Sequence, residues 1–179
     1  MGDAQSEGGG KEGGKEGGKP FEIERVIDAP RQRVWDALTR AEHLRQWWGP
    51  TGFDVIRADV DLRPGGRFHC GMRSIEGFKM WAMFAYEEVV PPERLVFVNW
   101  FSNEAGGVTR NPIVPTWPLE TITTIRFEEE PDGKTKVSVR WAAHKANDVE
   151  QKTFEASPLK KVSWGSSFDQ LAAYLAKTG

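Results

Sequence analysis

Between Lys136 and Trp141, the apolar residues Val137, Val139 and Trp141 alternate with Lys136, Ser138 and Arg140. A period of two puts the two sets on opposite faces of a strand, so one face meets a core and the other meets water. Strand-like texture extends back to Phe53 in pieces separated by turn residues. Phe53–Leu62 and Arg67–Arg73 flank Arg63-Pro64-Gly65-Gly66, which suits a type II turn. Phe78–Val90 and Arg94–Phe101 flank the break Pro91-Pro92-Glu93. Glu120–Glu128 and Thr135–Ala143 flank the hairpin signal Pro131-Asp132-Gly133, and Phe21–Asp28 reads as a first strand.

The period changes to that of a helix in two places. Pro30 stands at an expected first helical position, followed by an apolar stripe of Val34, Trp35 and Leu38. Thr39-Arg40-Ala41-Glu42 has the form of a capping box that would open a second short helix carrying Leu44, Trp47 and Trp48, stopped by Gly49-Pro50. After residue 147 the pattern is helical to the end. Asn147 or Asp148 is expected to cap a first segment, and Ser157-Pro158 to start or kink the main helix. Trp164, Phe168, Leu171 and Leu175 form its stripe. Gly165, Ser166 and Ser167 interrupt it, and a glycine there costs ~1 kcal/mol relative to alanine, which points to a packing or cavity requirement.

Hairpins with segregated helices define an α+β fold. The expected architecture is a helix grip, in which a curved antiparallel sheet of about seven strands wraps a long C-terminal helix, with two short helices after the first strand. One connection is unusually long. Ser102–Pro118 holds Ile113, Val114 and Trp117, which are costly to leave in water, so it is expected to lie over a site as a lid or to dock on the sheet edge.

Composition narrows the function classes. Lys plus Arg total 24 against 26 Asp plus Glu, so no global field favours nucleic acid or an anionic membrane. No apolar run approaches the ~20 residues a membrane helix needs, and no signal-peptide segment is visible. A single cysteine, Cys70, excludes an internal disulfide and fits a cytoplasmic setting. Residues 1–19 repeat Gly-Gly-Lys-Glu and hold too little apolar surface to offset ordering, so a flexible tail is expected before a domain over 20–179. Eight Trp and ten Phe are many for a domain of this size, and they either fill a core or line a cavity.

Several blocks carry a family resemblance. Val26-Ile27-Asp28-Ala29-Pro30, Val34-Trp35-Asp36-Ala37-Leu38-Thr39, Glu42-His43-Leu44 and Trp47-Trp48-Gly49-Pro50 resemble the opening of the family related to activators of the heat-shock-protein-90 ATPase. Asp61–Gly66, Val89–Val96, Gly133-Lys134-Thr135 and Trp164 through Leu175 match it further, in order, over nearly all of 21–177. The resemblance implies the SRPBCC superfamily, with its START-like carriers, birch-pollen-allergen-like proteins and polyketide cyclases. It implies a helix-grip cavity for apolar molecules and, through the family's co-chaperone, a chaperone partner. That co-chaperone also carries a separate N-terminal chaperone-binding domain, where this sequence has its glycine-rich tail. No shared catalytic motif transfers.

Cavity-wall candidates come from three sources. The helices offer Trp47, Trp48, Trp164 and Phe168, and the strands offer Phe68, Met72, Met80, Trp81, Phe97 and Trp141. Trp117 comes from the long connection. Alternation allows only about half of the strand residues to face inward, and Met with aromatics suits flat or greasy ligands. An inward carboxylate or histidine would have acid–base capacity, and Glu76, Glu120 and His69 are the candidates. For each, a solvent-facing or salt-bridged role is the plainer expectation. His69 and Cys70 point to opposite faces of a strand, and no Cys/His spacing suits a metal. No phosphate loop or dinucleotide fingerprint calls for a cofactor. The leading expectation is a small hydrophobic or aromatic ligand held between sheet and helix. The alternatives are a polyketide-cyclase-like or hydrolase-like enzyme and a co-chaperone-like partner of a heat-shock ATPase.

Overall fold

The structure, a computed structural model, describes residues 18–179. The expected coil over 1–19 therefore lies outside the described residues as far as residue 17. Lys19 is already docked, its backbone N–H donating to Glu155 Oε1 at 2.9 Å.

The chain order is β1 (Phe21–Ile27), α1 (Arg31–Thr39), α2 (Ala41–Trp47), β2 (Phe53–Val60), β3 (Arg67–Ser74), β4 (Lys79–Val90) and β5 (Arg94–Ser102). It continues with β6 (Val108–Thr109), β7 (Glu120–Glu130), β8 (Lys134–His144), α3 (Asp148–Ala156) and α4 (Leu159–Lys177). All pairings are antiparallel, in the order β1-β8-β7-β5-β4-β3-β2. The two edges are thus β1 and β2, and α1 and α2 carry the chain between them. The eighth strand is two-residue β6, inside the expected loop. It pairs with Phe101 and Ser102 of β5, just past Asn99, where the β5–β7 register ends.

Local chemistry explains most of the joints and corrects two expectations. Gly65 takes φ +81° at the third position of the 63–66 turn, and Gly66 N–H donates to Arg63 O at 2.8 Å, as a type II turn requires. The Thr39 capping box does not form. Thr39 closes α1, its hydroxyl donating to Trp35 O at 2.7 Å, and α2 begins after Arg40 without a side-chain cap. Pro30 is the cap residue of α1 and lies one position before its first turn. Ser157-Pro158 is the break between α3 and α4, where Pro158 takes the cap position and Ser157 Oγ accepts from Leu159 N–H at 3.3 Å. The reciprocal box forms at Asn147 instead: Asn147 Oδ1 accepts from Glu150 N–H, and Glu150 Oε2 accepts from Asn147 N–H.

Inward positions of the sheet and the stripe of α4 share one core. Phe84 and Phe97 from neighbouring strands, Ile125 and Val139 from the next pair, and Trp164, Phe168, Leu171 and Leu175 from α4 belong to it. The sheet thus grips α4. Trp47 ties α2 to α1 through Nε1–H donating to Ala37 O at 2.8 Å, and His43 Nδ1 lies 2.6 Å from Tyr174 Oη, joining α2 to α4. A smaller cluster of Trp117, Ala143 and Phe154 holds the long connection and α3 against β8.

Candidate functional site

A cavity of about 550 Å³ remains between the concave face of the sheet and the N-terminal half of α4. Register fixes which strand residues reach it. Thr123 of β7 stands opposite Phe97 of β5 and Trp141 of β8, so the three share the concave face. Ala82 lies opposite Phe101, Phe84 opposite Asn99, and Met72 opposite Met80. All nine of these residues border the cavity. Buried Ala82, Phe84, Phe97 and Thr123 form the floor. Exposed Pro50, Thr51, Leu159 and Val162 border the same space and mark its mouth.

Two loops complete the wall. The segment after α2 turns at Gly49, whose φ of +106° belongs to the left-handed region, and Met72 packs so close that a Cβ there would lie 2.7 Å from its sulfur. Gln170 Nε2–H donates to Gly49 O at 2.7 Å, and Thr51 Oγ1 lies 2.8 Å from Ser166 Oγ, pinning this segment to α4. On the other side Asn111, Val114 and Trp117 come from the Ser102–Pro118 connection. That connection is anchored on α3 by Arg110–Glu150 at 2.5 Å and Thr153–Thr116 at 3.0 Å, and Trp117 packs on Trp141 and Phe154. Ile113, expected to seek burial, is 75% exposed.

Of the residues read from the sequence, Trp48, Met72, Met80, Phe97, Trp117, Trp141 and Trp164 lie on the wall. Trp47, Phe68, Trp81 and Phe168 do not. Trp47 is buried behind Trp48, Phe68 stacks on Phe84 at 5.1 Å, and Phe168 fills the core beneath Arg25. Trp81 is on the convex face, its ring lying over Gly71 and 5.4 Å from His69. Gly165 does not meet the packing expectation either, because a Cβ there would find nothing within 4 Å, while Ser166 and Ser167 border the cavity. Phe84, Asn99, Phe101 and Thr123 were missed. Strict alternation from Phe97 would have given Asn99 and Phe101.

The acid–base candidates fall elsewhere. Glu76 is exposed in the β3–β4 turn, and Glu120 starts β7 on the face opposite Thr121 and Thr123. His69 is buried on the convex face, Nε2 lying 3.2 Å from Ser102 Oγ and 3.3 Å from Asn103 O. No Asp, Glu, His, Lys, Arg, Cys or Tyr lines the cavity among the described residues. Two titratable groups on the concave strands, Cys70 and Tyr86, sit in the core beyond it, and both stay uncharged at neutral pH. Burial pushes the Cys70 thiol up to about 12, and burial, then the Asp61 charge, raise the Tyr86 phenol. Among the described residues no group of three or more His, Cys, Asp or Glu side chains is placed to hold a metal ion, and no helix is long and apolar enough to cross a membrane.

A sheet gripping a C-terminal helix over an apolar cavity defines a helix-grip protein, consistent with the START-like superfamily. The chain belongs to the family described as activator of Hsp90 ATPase homolog 1-like protein, whose profile matches residues 28–176. Protein NE0264 of Nitrosomonas europaea is 25% identical, with a TM-score of 0.69 over 89% of this chain and 95% of that one. A solution structure from Arthrobacter aurescens has a TM-score of 0.71 at 21% identity, covering 88% of this chain and 86% of that one. The AHSA1 (SPO3351) protein of Silicibacter pomeroyi has 0.65 at 20% identity, covering 90% and 100%. The latter two bear on the fold alone. No functionally curated protein matches the sequence.

Proposed function

We propose that this protein binds a small, uncharged, mostly aromatic or hydrophobic molecule between the sheet and α4. The carrying observation is the cavity itself: about 550 Å³, walled by Trp48, Met72, Met80, Phe97, Trp117, Trp141 and Trp164, with no ionisable lining group. That volume falls in the range typical of small-molecule sites, and burial of a flat ligand contributes roughly 25 cal/mol per Å² of apolar area before ordering costs. A charged ligand would lose its hydration with no counter-charge to replace it. The same wall argues for binding over catalysis. Acid–base chemistry needs a titratable group within hydrogen-bond reach of the bound compound, and Glu76, Glu120 and His69 all lie off the wall.

The test is intrinsic tryptophan fluorescence with parallel melting curves across aromatic polyketides, flavonoids, fatty acids and sterols. Saturable quenching with a concentration-dependent rise in Tm supports the reading. A flat response across the panel overturns it and turns attention to a protein partner, such as the chaperone in the family's description.

A further inference from the structure

The cavity floor is not uniformly apolar. Asn99 of β5 and Thr123 of β7 both border it, and Thr123 is 1% exposed. Thr121, paired with Asn99 in the sheet register, is 2% exposed and donates its hydroxyl to Asn99 Oδ1 at 2.7 Å. This bond occupies the amide oxygen and fixes the amide plane. The Asn99 NH₂, on a half-buried residue, has no described partner and neither has the Thr123 hydroxyl, while the fully buried wall donor without one is Trp141 Nε1, opposite Thr123 in the sheet register. Buried polar groups are ordinarily hydrogen-bonded, and those left over in an apolar site select ligands that satisfy them.

We propose that Asn99 and Thr123 form a polar subsite that selects ligands carrying a neutral oxygen acceptor, a ketone or similar carbonyl, on an otherwise apolar frame. This deepens, and rests on, the reading of the cavity as a ligand site. Asn99 Nδ2–H donates to the carbonyl oxygen and Thr123 Oγ1–H supplies a second donor to it. Thr121 acts as a positioning residue, holding the amide so that it presents its donor. A hydrocarbon of the same shape leaves both groups unpaired.

The probes are 9-fluorenone and fluorene, which share one ring frame and differ by a carbonyl oxygen. Dissociation constants are read from tryptophan quenching. Wild type is expected to prefer the ketone by roughly tenfold, although the hydrocarbon is the more water-averse of the two. Asn99→Leu should abolish that preference while retaining fluorene binding, and Thr123→Val should reduce it. Thr121→Val should also reduce it, with Thr121→Ser restoring it, which a merely structural role would not do. If Asn99→Leu fails to melt cooperatively, the Thr123→Val and Thr121 pair decide. Equal binding of both probes, unchanged in the variants, overturns the subsite and leaves the cavity reading standing. Binding of neither probe, together with no response to the wider panel, overturns both.

Discussion

Glu150 Oε1 and an Arg110 guanidinium nitrogen meet at 2.5 Å, linking α3 to a connection 40 positions earlier in the chain. Glu150 is 6% exposed, and it also completes the capping box with Asn147. One buried carboxylate therefore serves as helix cap and as anchor for the segment that supplies Asn111, Val114 and Trp117 to the cavity wall. Replacing it tests both roles. Glu150→Ala should cost roughly 2 kcal/mol in urea denaturation, from loss of the cap and of a charge-assisted bond. Glu150→Gln, which retains the cap acceptor, should cost about half of that. An unchanged urea midpoint in both variants would remove the anchor.

Gly165 sits in the interior of α4 with open space where a Cβ would be. Its backbone is not in the left-handed region, so alanine fits without strain. Gly165→Ala should raise stability by about 0.5–1 kcal/mol, through less unfolded-state entropy and better helix propensity. A lower Tm in differential scanning calorimetry would show that the helix needs the glycine for another reason. Weaker ligand binding at higher Tm would mean that the space belongs to the ligand.

The Cys70 thiol is raised by burial from its ordinary value near 9 to about 12. Below pH 9 the thiol is protonated in both states, and its contribution is fully present. Above pH 9 the unfolded chain loses the proton while the folded chain keeps it, so stability falls until the folded pKa is reached. Between pH 8 and pH 10 wild type should lose about 1.4 kcal/mol more than Cys70→Ala, measured as the difference of urea unfolding free energies. Parallel pH profiles for the two proteins would show that the unfolded thiol does not titrate freely.

The sheet, its turns and the gripping helix were legible because each has a strong local signal: Val137, Val139 and Trp141 in alternation, Pro64-Gly65 at a turn, and a stripe from Trp164 to Leu175. The wall was legible only in part. Met80-Trp81-Ala82-Met83-Phe84 is apolar on both faces, so periodicity could not say that Trp81 points away while Ala82 and Phe84 point in. The polar floor was invisible for a different reason: Asn99 and Thr123 meet only through the β5–β7 register, between residues far apart in sequence. Thr39 misled because a threonine at a helix end can bond backward to a carbonyl or forward to an amide. Only tertiary structure decides between them.

Trp164 and Trp81 separate the cavity from the convex face. Both are large and at least partly buried, but Trp164 borders the cavity and Trp81 lies across Gly71 on the other side of the sheet. Each truncation removes packing, roughly 3 kcal/mol or more if the ring is fully enclosed, so stability alone does not distinguish them. Ligand affinity does. Trp164→Ala should weaken binding of a panel hit by tenfold or more, while Trp81→Ala leaves it within about twofold. Ala82→Phe supplies the converse: it adds a ring to the buried floor opposite Phe101 and should exclude the ligand without removing any native contact. Affinity is measured by titration below each variant's melting transition, so that only folded protein is compared. Equal losses from Trp164→Ala and Trp81→Ala, with Ala82→Phe still binding normally, would move the ligand out of this cavity.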